Sequence, residues 1–380
     1  MQLRKLLVSF LFTLIGWVAV AAQPALSFSK CETARNEVVN AWMAKERSQY
    51  LATWNNRVVT IDSLNMPFWV HIYGNKPAGG YSLFISLHGG GNAPADVNNQ
   101  QWQNQMLLYQ PANSVYLVPR APYNDWDMWF KPKLDKFYEQ LIQMAIVLAD
   151  VNPDRVYIMG YSAGGDGVWR MAPRMADYWA AASMMAGHPG DVKLLNLRNT
   201  PFMIWCGALD SAYNRNKLCA GRAVQMDSLQ QADQGGYVHQ SHIVPGKPHW
   251  MDRVDTAAVS WMQHFTRNPY PRQIVWCQEQ VLRPWFYWLQ APSDELQRGK
   301  TVRLGVEGNQ INITQCDYSC LTLWLNDSLV DLDKPVEITF KGNVVYKGKL
   351  KRTRQNLEES INLRNDPRYA MPARITVNLK

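Results

Sequence analysis

Between about residue 30 and residue 268 strand signals alternate with helix signals, and this alternation limits the architectures open to the chain more than any other feature. The runs Tyr81 to Leu87, Val115 to Val118, Val156 to Met159, Ala181 to Met185, Phe202 to Cys206 and Val238 to Val244 are short and β-rich, and several are almost continuously apolar. Strands covered by helices on both faces read this way. Two further strand-like runs, Val58 to Ile61 and Phe68 to Tyr73, precede them. Helical spacing is clearest in Leu134, Phe137, Tyr138, Leu141, Ala145 and Leu148, with Asn152-Pro153 as its stop. Residues 33 to 52 predict an amphipathic helix through Val38, Val39, Trp42, Met43 and Tyr50. Repeated strand-helix alternation predicts an α/β fold on a mainly parallel sheet. Ligands then belong at the carboxyl ends of the strands.

After Asn268-Pro269-Tyr270-Pro271, which reads as a linker, the texture changes. Short β-type runs follow at Ile274 to Trp276, Trp285 to Leu289, Thr301 to Val306, Leu321 to Leu325, Val336 to Phe340 and Ile375 to Val377, with helical periodicity nearly absent. Lys341-Gly342-Asn343 is a hairpin signal. The expectation is a small C-terminal all-β, sandwich-like domain over 269–380, behind an α/β domain over 23–268. A length of 380 residues agrees with two domains.

The first 22 residues read as a secretory signal peptide. Arg4 and Lys5 precede an uncharged stretch from Leu6 to Val20, shorter than the ~20 residues a membrane span needs, and Ala19-Val20-Ala21 fits a small-residue cleavage pattern. The mature chain is therefore expected to be soluble, secreted or periplasmic, with no stable membrane span. Apolar residues at 47% against 18% charged exclude a disordered chain. The formal charge of +8 is scattered, without a basic run of five or six, which argues against a nucleic-acid partner. Cys31, Cys206, Cys219, Cys277, Cys316 and Cys320 permit up to three disulfides in an oxidising compartment, and Cys316 and Cys320 are close enough to staple a local turn. Their spacing lacks the paired C-x2-C of a zinc site, so no metal is expected.

Chemistry concentrates in four segments. The strand run Val156 to Met159 leads into Gly160-Tyr161-Ser162-Ala163-Gly164-Gly165, and a helical stretch follows. This is G-x-S-x-G in its required strand, sharp turn, helix setting, which exposes Ser162 Oγ above a sheet. Upstream, the strand ending at Leu87 runs into His88-Gly89-Gly90-Gly91. Backbone amides of Gly90 or Gly91, with that of Ala163, suit an oxyanion hole; His88 is expected to brace the loop. A serine hydroxyl needs a base, and the base an orienting acid. His249 in Gly246-Lys247-Pro248-His249-Trp250 follows a strand and is the candidate base. Asp210 follows Phe202 to Cys206 through Gly207-Ala208-Leu209 and is the candidate acid, with Asp191 in reserve and Asp166 structural. Trp126, Trp129, His188 and Tyr213 are candidate substrate-binding residues, with loop packing as the competing reading for the first three and capping of the next helix for Tyr213.

HGGG, GYSAGG, the GALD segment and the GKPHW segment together resemble a secreted α/β-hydrolase, similar to the branch holding polyhydroxybutyrate depolymerases and feruloyl esterases and to prolyl-oligopeptidase-like catalytic domains. The resemblance covers roughly residues 55 to 268. It implies acyl transfer through a serine ester without a cofactor, with Ser162 as nucleophile, Asp210 as acid and His249 as base. The implied substrate is a small-molecule or polymeric carboxylic ester. A serine peptidase is the second reading, because the same machinery cleaves amides. A non-catalytic polymer- or surface-binding protein on a hydrolase scaffold is the third.

Overall fold

The computed structural model describes residues 24–380; the segment read as a signal peptide lies outside them. The first part of the chain runs α1 (Phe28–Asn56), β1 (Val58–Ile61), β2 (Leu64–Tyr73), β3 (Tyr81–Leu87), α2 (Ala95–Met106), β4 (Ser114–Pro119), α3 (Leu134–Leu148), β5 (Val151–Tyr161), α4 (Ala163–Arg174), β6 (Ala181–Met185), β7 (Phe202–Gly207), α5 (Arg215–Ala232), β8 (His239–Val244) and α6 (Ala257–Gln263). Eight strands form one sheet in the order β1-β2-β4-β3-β5-β6-β7-β8. Strands β1, β2 and β4 pair antiparallel along one edge, and every pairing from β4 across to β8 is parallel. Strand β3 is flanked by β4 on one side and β5 on the other, so the chain reverses its direction of winding there. The crevice beyond the carboxyl ends of β3 and β5 is where such a sheet binds ligands.

The helices form because their apolar side chains recur on one face. In α3 eleven of fifteen residues are buried, among them Phe137, Leu141 and Met144. It packs between the sheet and the long α1, which is capped at its start by Ser27, whose hydroxyl accepts from the Lys30 N–H, and at its end by Arg57 in the left-handed region. Asn152-Pro153, expected to stop α3, instead lies among the first residues of β5; α3 already ends at Leu148.

Beyond residue 268 two further sheets share one core. β9 (Gln273–Cys277), β10 (Trp285–Phe286), β11 (Leu289–Gln290), β12 (Thr301–Glu307), β13 (Gln310–Cys316), β14 (Cys320–Leu325), β15 (Val336–Phe340), β16 (Asn343–Gly348) and β17 (Ala373–Asn378) are interrupted only by α7 (Arg354–Arg364) and short 3-10 turns. The sheets run β10-β11-β14-β17 and β16-β15-β13-β12-β9. Trp276, Phe286, Trp288, Ile313 and Leu323 lie in their shared core. The run Trp285 to Leu289 is broken by Tyr287 at φ 52° into two short strands. The hairpin turn uses Lys341 and Gly342, both at positive φ, and leaves Asn343 in the strand.

Helix α7 contradicts the expectation that helical periodicity ends with the linker. Only Leu357 and Ile361 supply its apolar face, a pattern too sparse to register, yet both are buried in the core under the eight-stranded sheet's helices. Thr353 caps it by accepting the Asn356 N–H at 3.1 Å. All six cysteines are free thiols, Cys316 and Cys320 included, so no staple closes that turn.

Buried ion pairs join the C-terminal region to the large sheet. Arg267 donates to Asp154 (2.9 Å), to Asp366 (2.8 Å) and to the Asp177 carbonyl. Arg364 pairs with the fully buried Asp177, and Arg283 with Asp135 and Glu139 at 2.8 Å each. A buried pair of this kind contributes little net stability, but removing one partner strands the other charge. Asp177→Ala should therefore lower the unfolding free energy by about 3–5 kcal/mol, measured as a fall in the urea midpoint. An unchanged midpoint would refute the clamp.

Candidate active site

The nucleophile turn is built by close packing. Ser162 sits between β5 and α4 at φ 58°, ψ −122°, a conformation L-residues rarely adopt that costs on the order of 1–3 kcal/mol. Its backbone N–H is tied to the Met185 carbonyl (2.9 Å), and its carbonyl accepts from Asp166 N–H (2.9 Å). Glycines are obligatory on both sides: a Cβ on Gly164 would lie 2.1 Å from the Leu87 carbonyl oxygen, and one on Gly160 2.5 Å from that of Gly164. The turn thus presses directly on the end of β3, where the glycine loop begins.

Three side chains from separate strand ends meet above it. Asp210 is 2% exposed, and its Oδ2 accepts from His249 Nδ1–H at 2.7 Å. With that proton directed at the carboxylate, Nε2 is left to accept from the Ser162 hydroxyl, 3.0 Å away. Arg215 stands 3.7 Å from the other Asp210 oxygen. The loop carrying His249 is held on one side by the acid's strand, where Ala208 N–H donates to the Val244 carbonyl and Leu209 N–H to that of Lys247, each at 2.9 Å.

The glycine loop is braced from beneath by His88. This ring is fully buried: Nδ1–H donates to the Gly89 carbonyl (2.6 Å) and Nε2 accepts the Ala121 N–H (3.2 Å). Burial pushes its pKa down to about 3, so it is a neutral strut. Buried Asn98, in α2, accepts the Gly91 N–H at 2.8 Å and donates to the Ala93 carbonyl. Gly91, expected as an alternative oxyanion donor, therefore has its amide committed elsewhere. Gly89 and Gly90 border the cavity at Ser162, and Ala163 opens α4, where the first amides have no partner within the helix.

A cavity of ≈480 Å³ opens onto Ser162 and His249, walled by Val97, Gln101, Asn104, Leu108, Tyr161 and Trp250 together with the glycine loop. None of the four expected substrate contacts lines it. Trp129 is fully buried, with its indole N–H on the His88 carbonyl (2.9 Å) and its ring against Gly167. Trp126 is 59% exposed and packs edge-on against Phe130, and Tyr213 is 76% exposed beside Arg215. His188 is held by its backbone to Asp166, whose carboxylate accepts its N–H at 2.6 Å; burial raises the pKa of that carboxyl. Asp191 pairs with Arg298 on the surface and takes no part in the hydrogen-bond chain from Asp210 through His249 to Ser162. The wall that replaces them comes from α2, whose Val97, Gln101 and Asn104 recur at helical spacing, from Leu108 in the turn just after it, and from Trp250, the residue after His249. That spacing was the available signal. Among the described residues no group of three or more His, Cys, Asp or Glu could hold a metal ion, and no helix is long and apolar enough to cross a membrane.

The sheet order, with the Ser162 turn at the switch point, defines the α/β-hydrolase fold, here carrying separate β-sheets at its C-terminal end. Comparison of the sequence with protein-family models and with curated proteins gave no match. Solved structures similar to this chain include a thermostable esterase, 17% identical over 55% of this chain and 62% of its own length, with a TM-score of 0.43. Another is the feruloyl esterase module from Clostridium thermocellum complexed with sinapinate, 15% identical over 55% and 86%, TM-score 0.38. A third is a dipeptidyl aminopeptidase IV from Bacteroides ovatus, 12% identical over 55% and 34%, TM-score 0.38.

Proposed function

We propose that this chain is an exported serine hydrolase that cleaves carboxylic esters through an acyl-enzyme on Ser162. His249 Nε2 takes the Ser162 proton as Oγ attacks the ester carbonyl, and Asp210 steadies the imidazolium that results. The developing oxyanion is met by the amides of Ala163 and Gly90, which replace the solvent it loses. His249 then gives its proton to the departing alcohol, and a water activated by the same imidazole releases the acid. The observation that carries this reading is the unbroken hydrogen-bond chain from Asp210 through His249 to Ser162, at 2.7 and 3.0 Å.

The ester preference is supported by the cavity's character. Apart from His249, its lining residues carry no ionisable carboxylate, ammonium or guanidinium. A peptidase that anchors a substrate's charged terminus needs such a counter-charge; a neutral acyl or alcohol group does not. Matched chromogenic ester and anilide substrates with the same acyl group test this: kcat/KM should favour the ester by far more than the ratio of their uncatalysed rates. Turnover of the anilide at a comparable kcat/KM would favour the peptidase reading. Export is supported by the basic, apolar and small-residue layout of the first 22 residues, and N-terminal sequencing of the extracytoplasmic protein should find a mature chain beginning near residue 23.

A further inference from the structure

Tyr161 occupies the variable position of the Gly160-Tyr161-Ser162 turn and does more than fill it. Its ring forms part of the cavity wall, tilted against Trp250 (5.6 Å between centroids) and edge-on to His249 (6.0 Å). Its hydroxyl donates to the main-chain carbonyl of His249 at 2.7 Å and accepts the N–H of Met251 at 3.0 Å. Met251 is fully buried, so that amide has no solvent to fall back on, and leaving it unmatched would cost on the order of a hydrogen bond's desolvation.

We propose that Tyr161 is a positioning residue that locks the base-bearing loop to the nucleophile's own strand, so that the Ser162 to His249 distance is set by one side chain adjacent to the nucleophile. Both partners of its hydroxyl are backbone atoms of the base-bearing loop, the carbonyl of His249 itself and the amide two residues further on, and the phenol projects from the residue directly before Ser162. Any rotation of the loop about Gly246 or Pro248 must break at least one of these bonds. On the opposite side the loop lies so close to the acid's strand that a Cβ on Gly207 would fall 2.1 Å from the Pro248 carbonyl oxygen. The loop is therefore gripped between the strand of the nucleophile and the strand of the acid. Burial pushes the phenol well above its ordinary pKa, which keeps the donating proton in place.

This inference rests on the hydrolase reading for its kinetic consequence. Tyr161→Phe keeps the ring and removes both bonds. The expected result is a fall in kcat on a chromogenic ester of about 10- to 100-fold, the scale of a misplacement of about 1 Å, with KM near the wild-type value and a parallel fall in the rate of fluorophosphonate labelling. Tyr157→Phe is the control: it deletes a hydroxyl bond of similar length, to the Phe265 carbonyl (2.7 Å), from the same strand but away from the site, and should keep kcat. Hydrogen exchange supplies a readout that needs no activity: the Met251 amide in the wild-type chain should be protected, and should exchange faster in Tyr161→Phe. Wild-type kcat in Tyr161→Phe, an equal loss in both variants, or free exchange at Met251 in the wild type would each overturn the proposal. A wild-type chain that hydrolyses no ester and labels no serine would instead overturn the hydrolase reading, while the exchange contrast would still decide the anchor.

Discussion

Ser162→Ala should abolish ester hydrolysis, lowering kcat by about 10⁶-fold, the scale seen when a triad nucleophile is removed and only binding and oxyanion contacts are left. The size follows from the site's division of labour. Without Oγ there is no acyl-enzyme, and His249 can act only on water held by nothing but the cavity. The fold should survive, because the one hydrogen bond recorded for the Ser162 side chain is the one to His249 Nε2, while the turn is held by main-chain bonds and by the contacts of Gly160 and Gly164. Circular dichroism and the melting temperature should match the wild type. Undiminished turnover by a folded Ser162→Ala protein would remove Ser162 from the mechanism.

Asp210→Asn should cost about 10⁴-fold in kcat, by a different route. The carboxylate is buried and accepts from His249 Nδ1–H, which leaves Nε2 free to accept from serine. An amide of nearly the same shape can offer an N–H to Nδ1, and the imidazole then carries its proton on Nε2, facing the hydroxyl it is meant to deprotonate. The effect should fall on kcat with little change in KM, since Asp210 does not line the cavity. Asp191→Asn is the matched control: that carboxylate is on the surface with Arg298, and its loss should leave kcat unchanged. Equal activity in Asp210→Asn and wild type would mean that another group orients the base.

The strands were legible almost to the residue where burial on both faces favours a nearly continuous apolar run, interrupted only by serines, as in Tyr81–Leu87 and Ala181–Met185. The serine turn was legible too, because only glycine tolerates the contacts at positions 160 and 164. What the sequence hid depends on contacts between distant segments. Trp129 and Trp126 are near neighbours in sequence, and nothing local says that one is packed beneath the glycine loop while the other faces solvent. Gly90 and Gly91 are equivalent until Asn98 takes one amide. Helix α2 is rich in Asn and Gln, with a weak apolar face, so its role as a cavity wall comes from where β3 and β4 place it. Strand β13 carries only Ile311 and Ile313 inward between polar residues, a period-2 pattern too short to stand out among loops. Helix α7 needs the core it completes, and the double hydrogen bond of Tyr161 exists only once the His249 loop has folded across it.

The central claim is that Ser162 is a nucleophile activated by its neighbours, and covalent labelling tests it most directly. The wild-type protein, treated with a fluorophosphonate and digested, should carry one phosphonyl adduct, on the peptide containing Ser162, and His249→Ala should lose nearly all of that labelling while remaining folded. A wild-type chain that stays unmodified at this serine, or that is modified just as fast without the imidazole, would contradict it.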